Sequence, residues 1–150
     1  MKRKTRRVLG FVLASALLWT MRTAAAASAS GVAASGDAYM LAKLISGEAR
    51  GESYIGQVAV GAVVVNRLQN PNFPNSLSGV VFEPGAFDAV WDGQYHKEPT
   101  VSAVQAAQSA LAGWDPTGGA LYYWNPISAT SDWIWSRSVI ARIGRHVFAR

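Results

Sequence analysis

From Tyr54 to Gln69 the chain is apolar on nearly every helical face. Ile55, Val58, Ala59, Val60, Ala62, Val63, Val64 and Val65 leave almost no side for water. A helix apolar all round belongs in the centre of its domain, with other elements packed about it. The β-branched run is also compatible with a strand. The length of the run, and Ser53 placed to cap it, favour the helix.

Around this segment the punctuation is clear. Asp37 is a candidate N-cap for a helix from Ala38 to Ala49, ended by Gly51. The stretch 70–75 reads as loop. Residues 78–83 and 86–90 read as short extended segments flanking a Pro84-Gly85 turn. Asp92-Gly93 is a further turn. Thr100 can cap a third helix over Val101–Ala112, ended by Gly113. Asp115 to Gly119 is a turn, Ala120–Trp124 a strand, 125–131 a loop, and the remainder from Trp133 mixed. The sum is an α+β domain of three helices and a little sheet.

The N-terminus belongs to a different category. Lys2, Arg3, Lys4, Arg6 and Arg7 precede an apolar run from Val8 to Leu18 and a small-residue tract around Ala24–Ser30. This is the layout of a secretory signal, with cleavage expected near residue 27. The run is short for a bilayer span, which needs about 20 apolar residues. An uncleaved anchor is the alternative; after cleavage no stable membrane association is expected. Residues 28–36 read as a flexible leader and 37–150 as one domain.

Export changes the charge argument. The chain carries +5, from 14 Lys and Arg against nine acidic residues. Six of those cations (positions 2, 3, 4, 6, 7 and 22) lie in the targeting segment, leaving eight against the same nine acids. The basic pI is therefore no argument for nucleic acid as a partner. There is no cysteine, so neither disulfides nor a thiol nucleophile are available. Two distant histidines, His96 and His146, make a zinc site unexpected. No Gly-x-Ser-x-Gly elbow occurs.

Glu48 holds the chemistry best. Leu41, Leu44 and Ile45 mark the buried face of the first helix, and Glu48 is the next step along it. Desolvation there raises a carboxyl pKa, and the negative end of the helix acts in the same sense. A carboxylic acid still protonated near neutral pH can protonate a departing glycosidic oxygen. The alternative is a helix-end ion pair with Arg50 or Lys43. Glu52, four residues on, is either a second site carboxylate or a charge stabilising the start of the next helix.

Five tryptophans follow the signal: Trp91, Trp114, Trp124, Trp133 and Trp135. With Tyr122, Tyr123, Phe87 and Tyr95 they offer flat faces that stack on sugars, or they fill the core. In a strand, Trp133 and Trp135 would share one face. Asn125 is placed either to bond an N-acetyl group or to close a backbone turn. Arg137 can fork onto a carboxylate or lactyl-type group, or stand free at the surface.

Many short motifs then fall in one order. They begin with Glu48-Ala49-Arg50-Gly51-Glu52, Val65-Asn66-Arg67 and Pro84-Gly85-Ala86-Phe87. Asp92-Gly93-Gln94 and the long run Gly113 to Tyr123 follow, then Trp133-Ile134-Trp135-Ser136-Arg137 and Ile143-Gly144-Arg145-His146. Over residues 38–150 the chain resembles the catalytic domain of spore cortex-lytic enzymes (the SleB type) and the related cell wall hydrolase family. The resemblance implies a lysozyme-like, mostly helical α+β fold with a small antiparallel sheet, and peptidoglycan glycan strands as substrate. It implies lytic transglycosylase action with Glu48 as the single acid/base, and no cofactor or metal. Phe87, Gln94, Tyr123, Trp124, Asn125, Trp133, Trp135, Arg137 and Glu52 are the expected substrate contacts. The site of action would be the cell wall or spore cortex, and an accessory regulatory protein is left open. Two alternatives stand beside this. One is a hydrolysing muramidase or glucosaminidase with the same acid; the other is a non-catalytic wall-binding or germination-accessory protein.

Overall fold

The apolar segment forms the central helix. The computed structural model describes residues 36–150, so the expected signal and most of the leader lie outside the described residues. Residues 36–49 form α1 and Tyr54–Leu68 forms α2. Ser53 caps α2 by accepting the Gly56 N–H, as its position predicts. Asp37 is no cap, because residues 36 and 37 are already helical.

Burial along α2 is continuous from Gly56 to Val64. Helix α5, Val101–Leu111, packs on it through Ala103, Ala106, Ala107 and Ala110. Small residues let the backbones approach closely. A Cβ on Gly61 would lie 3.0 Å from the Ala110 methyl and 2.9 Å from Ile45 Cδ1. Thr100 caps α5 through the Ala103 N–H. Leu41, Leu44 and Ile45 complete this core from α1. Each such aliphatic side chain adds roughly 1.5–3 kcal/mol on burial, largely offset by the entropy of ordering.

Two expected extended segments are helical instead. Leu77–Val81 is α3, with Ser76 accepting the Gly79 N–H as its cap. Asp88–Trp91 is α4. The Pro84-Gly85 break between them is where the sequence puts it, with Gly85 at φ +75°. Val80 and Val81 favour strand by residue type. Here they bury against the core from a five-residue helix, too short to show a period. Gln94–His96 adds a single 3₁₀ turn.

The sheet is formed late in the chain. Tyr122–Trp124 is β1; after the one-turn helix α6, Asp132–Trp135, come β2, Val139–Ile143, and β3, His146–Ala149. The order is β1-β3-β2, antiparallel throughout, with Tyr123 opposite Phe148 and Trp124 opposite Val147. Every residue of the central strand β3 is buried. Asp115 fixes the entry to β1. Its carboxylate accepts the Thr117 and Gly119 N–H groups and the Asn66 amide, which also bonds the Ala120 carbonyl. Trp133 and Trp135 lie on α6, not on a strand.

Candidate active site

Glu48 is in the last turn of α1, and its carboxyl is held from two directions. The Ala89 N–H, in the first turn of α4, donates to Oε1 at 2.8 Å. The Tyr123 hydroxyl, on β1, donates to Oε2 at 2.9 Å. Neither Lys43 nor Arg50 pairs with it. The Lys43 ammonium sits 4.5 Å from the centre of the Tyr95 ring, and Arg50 bonds Ser46 Oγ and the Glu98 carbonyl.

Burial pushes the Glu48 pKa up, and this outweighs the two hydrogen bonds, which favour the carboxylate; Asp88 and Asp92 push the same way as burial. The net shift is upward. Tyr123 is partly buried and packs among Phe87, Phe148 and His146, with ring centres 6.4, 6.0 and 5.2 Å away. Burial, with Glu48 beside it, holds the phenol well above its ordinary pKa of 10.0, so it remains a donor.

The carboxyl opens into a cleft of about 730 Å³. Of the expected contacts, the fold brings Phe87, Tyr123, Trp124, Asn125 and Trp133 to its walls with Glu48. Phe87 and Trp124 are themselves largely buried, whereas Trp133 is half-exposed. The Asn125 side chain closes a turn, accepting the Ile127 N–H at 3.0 Å.

Four expected contacts lie outside the cleft lining. Glu52 accepts the Arg145 Nε–H at 2.7 Å and its backbone N–H at 3.1 Å, clamping the β2–β3 turn. Desolvation raises the Glu52 pKa, but these bonds and the His146 charge outweigh it and the net shift is downward. Gln94 packs its Cβ near Gly47 and accepts from Lys97. Trp135 meets the edge of Trp124, centres 5.8 Å apart. The Arg137 guanidinium stacks on Trp133, 4.3 Å from the ring centre.

The cleft also contains Tyr122, one of the flat aromatics, and residues that the sequence does not single out: Arg67, His146 and Glu83. Arg67 carried a usable signal, a cation in the last turn of an otherwise apolar, buried helix. His146 carried none, since its place depends on the pairing of β3. Burial lowers the His146 pKa below its ordinary 6.5.

A helix-borne carboxylic acid, desolvated at the head of an aromatic cleft beside a small antiparallel sheet, is the layout of a lysozyme-like domain. The cell wall hydrolase family matches residues 51–149, and the chain belongs to that family. Its relatives are specific. The spore cortex-lytic enzyme of Bacillus subtilis (strain 168) is 54% identical over 125 residues, covering 83% of this chain and 41% of that protein. That of Halalkalibacterium halodurans is 57% identical over 112 residues, covering 75% and 34%. The crystal structure of the catalytic domain of the Bacillus cereus SleB protein aligns with a TM-score of 0.72 at 54% identity, over 76% of this chain and 89% of that one. The catalytic domain of the germination-specific lytic transglycosylase SleB from Bacillus anthracis aligns at 0.73 and 54%, over 76% and 93%. The chain spans less than half the length of these curated relatives.

Proposed function

We propose that this protein is an exported peptidoglycan-cleaving enzyme, a lytic transglycosylase that cuts between N-acetylmuramic acid and N-acetylglucosamine. The observation that carries the reading is the Glu48 carboxyl, kept toward its protonated form by burial and aimed by Ala89 and Tyr123 into the aromatic cleft. The named relatives supply the substrate class: spore cortex-lytic enzymes, and a solved domain described as a germination-specific lytic transglycosylase.

Each Glu48 oxygen accepts one bond and keeps a second lone-pair direction, and on one of the two that direction carries the single acidic proton. Glu48 gives that proton to the bridging oxygen as the bond to the muramoyl anomeric carbon breaks. The resulting carboxylate takes the proton from the muramoyl 6-hydroxyl as that oxygen attacks the same carbon. The product is a 1,6-anhydro ring, and Glu48 returns to its starting state. One carboxyl thus serves as acid and then as base. Standard glycosidases use two, and a substrate hydroxyl as nucleophile removes the need for the second.

Two further carboxyls, Glu83 and Asp88, line the cleft with Glu48. Asp88 is exposed and serves Glu48 by repulsion. Spore cortex is the proposed wall, on the strength of the relatives. The test is digestion of cortex and vegetative peptidoglycan by the purified protein and by Glu48→Gln, with fragments read by mass. Anhydro-muropeptides, one water lighter than hydrolytic products, are expected from the wild type, and a loss of about 10²- to 10⁴-fold from the variant. Reducing-end products would replace the mechanism with hydrolysis. Full activity in Glu48→Gln would remove Glu48 from the chemistry.

A further inference from the structure

Arg67 is a buried cation of the cleft, and its terminal nitrogens have no hydrogen-bond partner among the described residues. The side chain is only 7% exposed. Its Nε donates to the Leu121 carbonyl at 2.7 Å, tying α2 to the segment entering β1. The guanidinium carbon lies 5.0, 5.2 and 5.6 Å from the ring centres of Phe87, Phe73 and Tyr122. Three aromatic rings around a planar cation fix its direction and strip its water.

Among the described residues no carboxylate forms an ion pair with Arg67; the one close pair is Arg145 with Glu52. Burial pushes the Arg67 pKa down on balance, while Glu83, which shares the cleft, favours the charged guanidinium from a distance. The Nη atoms are not among the sealed, unpartnered nitrogens, unlike Arg137 Nε and His146 Nδ1. They face the cleft that Arg67 lines. A desolvated guanidinium left without an acceptor is costly. It is satisfied when the cleft's occupant brings an oxygen.

The position narrows the occupant. Phe87 touches both the Arg67 cation and the Tyr123 ring, and Tyr123 holds Glu48. Arg67 therefore stands one aromatic side chain from the acid. An oxygen-bearing substituent on the sugar under attack would meet it.

We propose that the Nη edge of Arg67 receives the lactyl ether carboxylate of the muramoyl residue, or the amide carbonyl that replaces it when a peptide is attached. The inference rests on the peptidoglycan reading above and names the group that reading leaves unread. It moves to Arg67 the role that residue type alone assigns to Arg137. It also gives the cleft a means to seat muramoyl and not glucosaminyl units over Glu48, since the two sugars differ by that ether.

The test is a binding titration, followed by NMR chemical shifts, with N-acetylmuramic acid and N-acetylglucosamine as probes. The protein carries Glu48→Gln throughout, so that binding is read apart from cleavage. N-acetylmuramic acid is expected to bind about tenfold more tightly, the scale of one charge-assisted contact. Arg67→Gln should bring the two sugars within about twofold of each other, while Arg137→Gln leaves the preference intact. Arg67→Lys, which keeps the charge and loses the fork, should fall between and serves if Arg67→Gln does not fold. The methyl ester of N-acetylmuramic acid separates the two sources: loss of the preference marks the carboxylate, retention marks the carbonyl. Equal binding of both sugars, binding of neither, or an unchanged preference in a folded Arg67 variant would overturn the proposal. A preference that depends on Arg67, in a protein whose wild type releases no fragments, would keep this site and remove the catalytic reading.

Discussion

The backbone N–H of Ala89 is capped by Glu48, 41 residues earlier in the chain, at 2.8 Å. Helix α4 has no side-chain cap of its own at Phe87. Its first-turn donors need acceptors, and one finds the Glu48 carboxyl. The Glu48 carboxyl and the short helix therefore position each other, so damage to α4 displaces the carboxyl.

Gly47 is where this relationship can be broken without touching either partner. An alanine in a helix normally stabilises by about 1 kcal/mol over glycine. Here the added Cβ would lie 2.6 Å from the Ala89 methyl. Gly47→Ala is expected to push α4 away from α1, lowering both the melting temperature and peptidoglycan cleavage. Increased thermal stability would refute this packing.

Tyr123→Phe and Asp88→Asn should move the pH profile in opposite directions. The Tyr123 hydroxyl stabilises the Glu48 carboxylate, so removing it raises the Glu48 pKa further; Asp88 repels the carboxylate, so neutralising it lowers that pKa. The alkaline limb of kcat/KM reports loss of the Glu48 proton. It should shift up in Tyr123→Phe and down in Asp88→Asn. The tyrosine variant should also lose roughly fivefold in rate, the worth of about 1 kcal/mol of hydrogen bond. Shifts of the same sign would contradict the geometry.

Glu48→Gln should become relatively more stable as pH rises. The folded-state pKa of Glu48 lies above its ordinary 4.5. Below that ordinary value both states hold the proton and nothing is gained or lost. Above it the unfolded chain ionises first, so the wild type loses stability until the folded pKa is passed. Urea titrations across pH should show the variant's advantage growing from about pH 4.5 and then levelling, apart from any constant offset.

Glu52→Gln should behave in the reverse sense. The Glu52 pKa is depressed in the fold, so its contribution is present above the ordinary 4.5 and is lost as pH falls through the folded value. Arg145 is 61% exposed, which screens the pair. A loss of about 1 kcal/mol is expected at neutral pH, vanishing in acid, with cleavage little changed. A large loss of activity in a stable protein would return Glu52 to the substrate.

The linear order of residues was enough for the central helix, the caps at Ser53 and Thr100, the turn at Pro84-Gly85 and the place of Glu48 on a buried face. All of these are local: a period, or a side chain reaching three residues along. The segments around Val80 and Ala89 read as extended in the sequence and are helical in the fold, because helices of four or five residues complete barely one turn, and packing decides them over propensity.

By itself, then, the sequence determined that Glu48 would lie along a buried helix face, because the stripe of Leu41, Leu44 and Ile45 carries its own direction. Only the tertiary structure decided what surrounds that carboxyl. Tyr123 reaches Glu48 across 75 positions. Arg67 enters the cleft because α2 runs beneath β1, while Glu52 is drawn away to the Arg145 turn and Arg137 stacks on the Trp133 ring. Such contacts depend on how strands pair and helices cross, and no spacing along the chain encodes the distance between two residues that meet only after folding.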